Sequence, residues 1–337
     1  MPDRWGRTLL QRRANLLARE RGVTPQALYD IDFLLGVQDE SRMGALRFKT
    51  DPEGLFLDNQ HDFPIPPVSS LRELQFAANA IESDAAESSI KKWLSVLLAP
   101  GSSLGGARPK ANVYDVDRQM WIAKFPSRND MVDKGAWEYL TYQLAIAAGI
   151  QMAPSKLLKI SGEHHTFLTQ RFDRQLDTRI HFSSAMTMTG KTEEILREEE
   201  ASYLDLAEFI QFSGARPRQD LAQLWRRIVF NIAVSNTDDH LRNHGFLLSN
   251  DGWVLSPAFD LNPSTEKNGL ALNIDLHQND LDFELAFEVG MYFQLDRKEM
   301  STILGEVKNV IKNWEEVAYR MDIPKKEQSL MSSAFRY

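Results

Sequence analysis

The residues with the most chemical content are Asn236-Thr237-Asp238-Asp239-His240-Leu241-Arg242-Asn243, followed by Asp260 seventeen positions after Asn243. An aspartate, an asparagine five residues on, and a second aspartate past a short hairpin are the parts of a phosphoryl-transfer site. In that chemistry the first carboxylate, here Asp238, accepts or orients the attacking hydroxyl. The amide and the later carboxylate, Asn243 and Asp260, supply hard oxygen ligands to magnesium, which takes few ligands from protein and the rest from nucleotide phosphates. Two adjacent aspartates, a histidine and an asparagine also suit a turn rich in side-chain caps, and that reading stays open on this segment alone. His240 carries no His-x-x-x-His partner, which argues against zinc and for a residue bracing the loop beside the cofactor. Asp239 is expected to be a solvated neighbour or a helix-end residue.

Such a site needs further parts, and the chain supplies a candidate for each in order. Gly101-Ser102-Ser103-Leu104-Gly105-Gly106 can bring backbone amides close to phosphate oxygens, although a glycine-rich loop alone reads equally as a surface turn. It is not a Walker A loop, since Gly-x-x-x-x-Gly-Lys-Ser/Thr is absent. Lys124 is the single cation in the apolar strand Met120–Phe125, suited either to pairing phosphates or to guarding a sheet edge. Glu138, in a helix predicted over 132–148 with Ala136, Leu140, Leu144 and Ile146 inward, could hold that lysine or simply face water. A helix over 221–234 then delivers Asp238 at its C-terminal side.

The elements around these parts follow from periodicity. Residues 1–50 read as helical, 45–57 as strand and turn, and Ile65-Pro66-Pro67 as the end of an extended connector. Helical spacing returns over 69–98. Hairpins are predicted at 112–124, 156–171 and 245–255, the last turned by Asn250-Asp251-Gly252. The remainder after Ala201 reads as mostly helical. The expected fold is α+β and bilobal, with a small β-rich N-terminal lobe and a large, mostly helical C-terminal lobe. The expected segments are 1–68, 69–174 and 175–337.

Bulk properties set limits. The 337 residues contain no cysteine, so disulfides and thiolate metal sites are excluded and a reducing, cytoplasmic setting is expected. No apolar run is long enough to span a bilayer, and no membrane role is expected. The net charge of −8 argues against non-specific DNA binding by the whole surface.

Taken together, Ser103–Lys110, Ile122–Pro126, Gln170–Arg174, Asn236–Asn243 and Ser256–Pro263 resemble the HipA family of serine/threonine kinases, toxins of bacterial toxin–antitoxin pairs. The resemblance implies a kinase-like fold using ATP and Mg2+. It implies Lys124 on the phosphates, Gln170 to Phe172 as the hinge at the adenine, Asp238 as catalytic residue, and Asn243 and Asp260 on magnesium. Ser103, with Ser102 adjacent, stands where family members autophosphorylate inhibitorily, and Gly105 and Gly106 belong to the same loop. It also implies an aminoacyl-tRNA synthetase as substrate, a helix-turn-helix antitoxin as partner, and DNA reached only through that antitoxin. Family members begin with a β-rich module, and Met1–Gly6 looks like the middle of that region, so a separate small protein is expected to supply the module. Leu9, Leu10, Leu16, Leu17 and Leu28 are expected to leave an apolar surface for it. A small-molecule phosphotransferase and a non-catalytic corepressor bridging antitoxin on DNA are the alternative readings.

Overall fold

In the computed structural model, which describes residues 2–58, 65–83, 94, 96–98, 101, 103, 106–176 and 178–337, helix α1 (Arg4–Glu20) starts where the Asp3 carboxylate accepts from Arg4 N. Its apolar positions Trp5 and Leu9 are buried, as are Leu71, Leu74, Ala77 and Ile81 of helix α3 (Leu71–Glu82). The short helix α2 (Asp30–Leu35) lies between them in sequence and buries Phe33 with Leu10 and Val37.

The chain divides into two units, Met1–Gly135 with Ser155–Arg179, and Ala136–Pro154 with Ile180–Tyr337. The first contains an antiparallel sheet in the order β1-β2-β4-β3, formed by β1 (Lys110–Tyr114), β2 (Met120–Lys124), β3 (Ser155–Leu158) and β4 (Thr166–Gln170). Helices α1 and α3 share one core with Val113, Trp121, Phe125 and Leu168 of this sheet. Burying each of the larger side chains contributes about 1.5–3 kcal/mol, so the core fixes both helices on the sheet. A two-residue hairpin, β5 (Arg174–Gln175) and β6 (Thr178–Arg179), closes the unit.

Helix α4 (Lys134–Ala147) crosses the division between Gly135 and Ala136. It begins two residues later than predicted because Asp133 is outside the helix, where its carboxylate accepts from His165 N at 3.0 Å. In the second unit Trp137 of α4 packs on Trp314 and Phe335, and its indole N–H donates to Glu327 Oε2 at 2.9 Å. The unit is built around α7 (Pro217–Val234), whose residues from Arg227 to its end are all buried. A proline at its first turn starts it four residues before the predicted boundary, since the missing N–H costs nothing there. Helices α5 (Ala185–Met188), α6 (Tyr203–Ser213), α8 (Phe283–Glu288), α9 (Arg297–Ile311), α10 (Trp314–Arg320) and α11 (Lys325–Met331) are the other α-helices of this unit. Of these, α6, α8 and α9 pack on α7.

Several expectations need correction. Residues 45–57 form no strand; Leu57 N donates to Phe48 O across an irregular loop. Ile146 is 45% exposed rather than inward. The predicted 245–255 hairpin, β8 (Gly245–Ser249) and β9 (Gly252–Leu255), gains a third strand, β7 (Phe182–Ser184). Residues 261–282 are irregular rather than helical. On α1 and after it, Leu9 and Leu10 are buried within the unit and Leu16 and Leu28 pack against its cores, which leaves Leu17, 38% exposed, of the five leucines expected at an open surface. The unit itself covers most of that face. Of the predicted 69–98 helix, 84–93 and 95 lie outside the described residues, as do 61–64 of the connector expected over 61–67.

Candidate active site

In the first unit the β1–β2 hairpin sets Lys110 directly opposite Lys124. Residues directly opposite in an antiparallel pair project to the same face, and like charges there destabilise the pairing by tenths of a kcal/mol to about 1 kcal/mol. Lys110 is nevertheless buried, and Lys124 lies 5.7 Å from the Phe167 ring centroid. Two ammonium groups on one face make a local positive potential that favours an anion. Gly106, at φ +73°, leaves the space that the Lys110 ammonium fills: a Cβ there would stand 2.6 Å from Lys110 Nζ. Lys110 is a site candidate that sequence reasoning quoted only as part of a motif. Ser103 is buried and its Oγ accepts from Asn112 Nδ2 at 3.2 Å. Ser102 and Gly105 lie outside the described residues.

The Gln170–Phe172 segment ends β4. Gln170 donates to Gln119 Oε1 at 3.0 Å, and Phe172 is partly exposed. Arg171 between them is buried and structural. It donates to Ser41 O at 2.7 Å, Asn112 Oδ1 at 3.0 Å and both oxygens of Asp173. Asp173 also accepts from Gly44 N at 2.6 Å and Arg174 Nη1 at 2.8 Å. Burial alone would raise the Asp173 carboxyl, but Arg171, Arg174 and the Gly44 amide outweigh it and hold it below its ordinary value. Burial, together with the neighbouring Arg171 cation, pulls Arg174 down to about 10. This lattice locks residues 41–44 to the end of β4.

In the second unit, α7 ends at Ser235 in the left-handed region, φ +50°. That strained conformation is held from outside: Ser235 Oγ donates to Ala334 O at 2.8 Å and accepts from Arg336 Nε at 3.2 Å. The chain then presents Asp238 to solvent and turns Asp239 inward, where it is 1% exposed. Asn243 Nδ2 donates to the Asp238 carbonyl at 3.0 Å, which fixes the amide's orientation and leaves its oxygen as the metal-type donor. Asp260 sits at φ +60°, a second strained residue, and its Oδ1 accepts from Asn262 Nδ2 at 3.3 Å. Ser264 N donates to Ser235 O, and Asn262 N to Asn236 Oδ1, so the Asp260 turn is tied to the loop bearing Asp238. Glu138 is also in this unit and is buried.

Asp239 is not solvated, contrary to expectation. Its Oδ2 accepts from Tyr203 OH at 2.5 Å and Asn231 Nδ2 at 2.7 Å, and meets His244 Nε2 at 2.8 Å. Burial, and then the Asp239 charge, push the Tyr203 phenol well above its ordinary value, so it remains a donor. The histidine that braces the loop through a side-chain bond to the buried aspartate is therefore His244. His240 contributes a backbone bond to Asp238 O and accepts from Asn243 N. One helix organises the rest. Asp220 Oδ2 accepts from Leu255 N at 2.9 Å, Arg227 donates to Ser256 O at 2.5 Å, and Asn231 holds Asp239 and Asn236. These three stand at spacings of seven and four, on one face of the helix, and all three are buried. Burial, opposed by Asp239 and Asp220, brings Arg227 down to about 10.

The oxygen donors of Asn243 and Asp260 suit a hard divalent cation that completes its shell from phosphates, and among the described residues no cluster of three His, Cys, Asp or Glu offers an all-protein site.

This α+β architecture aligns with a solved HipA from Shewanella oneidensis MR-1, crystallised with HipB and operator DNA, at a TM-score of 0.66, 18% identity, over 97% of this chain and 82% of that one. The HipA-like C-terminal domain model matches residues 102–314, and the chain belongs to that family. Two curated relatives are similar: a putative kinase, Y4mE, of Sinorhizobium fredii, 28% identical over 42% of this chain, and a putative kinase of Haemophilus influenzae, 26% identical over 48% of it. The matches span 33% and 52% of those relatives' own lengths.

Proposed function

We propose that this chain is an ATP- and Mg2+-dependent serine/threonine protein kinase acting as the toxin of a toxin–antitoxin system. The observation that carries the reading is the second unit's site: an exposed Asp238, an Asn243 clamped on the Asp238 carbonyl, and an Asp260 turn stitched to the same loop. Asp238 accepts the proton of a substrate hydroxyl as it attacks the γ-phosphate. Asn243 and Asp260 would hold magnesium, which neutralises phosphate charge when bound with the nucleotide. Lys124 and Lys110 would meet the phosphates, and Gln170 and Phe172 would border the adenine. His240 stays a backbone brace.

Family membership, the two relatives named putative kinases, and the HipB and operator DNA of the Shewanella structure support a DNA-binding helix-turn-helix antitoxin as partner. Leu17, Val23, Tyr29 and Ile31 are the apolar groups that residues 17–31 offer a separate N-terminal-module protein. The substrate in this reading is an aminoacyl-tRNA synthetase, and Ser103 or Ser102 takes an inhibitory phosphate. A phosphate on Ser103 adds about −1.5 to −2 charges and cannot keep the buried Asn112 contact, so it drives the loop from its seat. Phosphoproteomics of cells expressing the wild type or Asp238→Ala tests this. One synthetase modified only by the wild type is expected; identical phosphoproteomes would reject the protein-kinase reading and favour a small-molecule substrate.

A further inference from the structure

Gly101, Gly106 and Lys110, at and just after the two ends of the glycine-rich loop, each meet helix α1 or its N-cap in the same unit. At the start, a Cβ on Gly101 would meet Leu9 Cδ1 at 2.8 Å and Trp5 Nε1 at 3.2 Å, so only glycine lets the segment lie against α1. In the middle, Gly106 N donates to Asp3 Oδ2 at 3.1 Å while Trp5 N donates to Gly106 O at 2.9 Å, a reciprocal pair. At the end, the Trp5 indole donates to Lys110 O at 2.9 Å, buried from solvent. Trp5 and Leu9 are themselves core residues, 4% and 0% exposed, so the anchor is rigid.

We propose that Asp3 and Trp5 are positioning residues for nucleotide binding, holding Gly106 and Lys110 in the geometry that presents the lysine to phosphate. The inference rests on the reading of this segment as the phosphate loop. It extends that reading by assigning to helix α1, far from the loop in sequence, control over nucleotide affinity. The physical reason is preorganisation. A loop fixed before binding loses less conformational freedom when a phosphate arrives, so releasing it weakens binding without altering the reacting groups. Asp3 uses the Gly106 N–H for this purpose, which leaves the lysines to carry the phosphate contact.

Two variants isolate the contacts. Trp5→Phe removes the indole donor and keeps an aromatic core residue. Asp3→Ala removes both acceptor oxygens, while Asp3→Asn keeps one, which can serve Gly106 N and leaves Arg4 N without its cap, and so acts as a partial rescue. Hydrogen exchange at the Gly106 amide reads the anchor without any nucleotide, and the full chain is then titrated with MgATP and assayed. Asp3→Ala is expected to exchange faster at Gly106, and both Asp3→Ala and Trp5→Phe are expected to raise Kd and KM for ATP about tenfold with little change in kcat, Asp3→Asn lying between Asp3→Ala and the wild type. Wild-type ATP binding with unchanged affinity in both variants would overturn the inference alone, as would tighter binding by Asp3→Ala, which would make Asp3 a competitor for the phosphate's place. A wild-type chain that exchanges slowly at Gly106 but binds no nucleotide would overturn the kinase reading, and this inference with it.

Discussion

The adjacent pair Asp238 and Asp239 allows one substitution to give opposite outcomes at neighbouring positions. Asp239→Ala removes the common acceptor of Tyr203, Asn231 and His244, contacts of 2.5, 2.7 and 2.8 Å in a site 1% exposed to water. Each donor left without a partner costs about 1–3 kcal/mol, and Arg227, buried nearby with Asp239 among its opposing charges, loses part of its compensation. Breaking a buried charged network by removing one member costs about 3–5 kcal/mol, a large share of a total stability of about 5–15 kcal/mol. For a unit of this size that lowers Tm by roughly 10 °C. Asp238→Ala removes an exposed side chain, so its effect on stability stays within about 0.5 kcal/mol while phosphoryl transfer is lost. Calorimetric melting of both variants beside the wild type reads the difference. Equal melting temperatures for Asp239→Ala and Asp238→Ala would refute the assignment of Asp239 to the scaffold.

Two further outcomes are expected. Asp173→Asn should destabilise the first unit by about 3–5 kcal/mol at neutral pH, measured by denaturant titration, because Arg171 and Arg174 keep buried charge without their counterion. The folded carboxyl is held below its unfolded value of about 3.9, so its contribution is full above that value and is lost as pH falls through the depressed folded value; wild-type stability should fall steeply there and the variant's should not. Lys110→Met and Lys124→Met should each weaken ATP binding in calorimetry at least tenfold, since each removes one of two cations that stand directly opposite each other on one face of the sheet.

What the sequence made legible was local. The hairpins are marked by turn residues and alternation, and β1, β2, β4, β8 and β9 lie within a residue or two of their predicted places. Residues 45–57 carried a strand-like composition but have no neighbouring strand, and composition cannot supply one. The order of the candidate site parts was readable because each sits on a distinct local element. What supports them was not, because it joins residues far apart: Tyr203 to Asp239, Asp3 to Gly106, Arg171 to Ser41. Asp239 was misread for a further reason. The turn leaves Asp238 exposed and sets Asp239 against Tyr203, Asn231 and His244, a difference that two adjacent aspartates do not display in sequence. Asp220, Arg227 and Asn231 were the available clue, three polar residues at helical spacing among Leu221, Leu224, Ile228 and Ile232, whose burial requires partners.

The central claim, phosphoryl transfer centred on Asp238, Asn243 and Asp260, is tested most directly by following label from γ-phosphate-labelled ATP into protein, with Mg2+ and the lysate proteins of a host cell, using wild type, Asp238→Ala and Asp260→Ala at equal concentration. The account predicts labelled protein with the wild type, none above background with Asp238→Ala, and none with Asp260→Ala, which should also lose Mg2+-dependent ATP binding. Equal labelling by the wild type and both variants would contradict it.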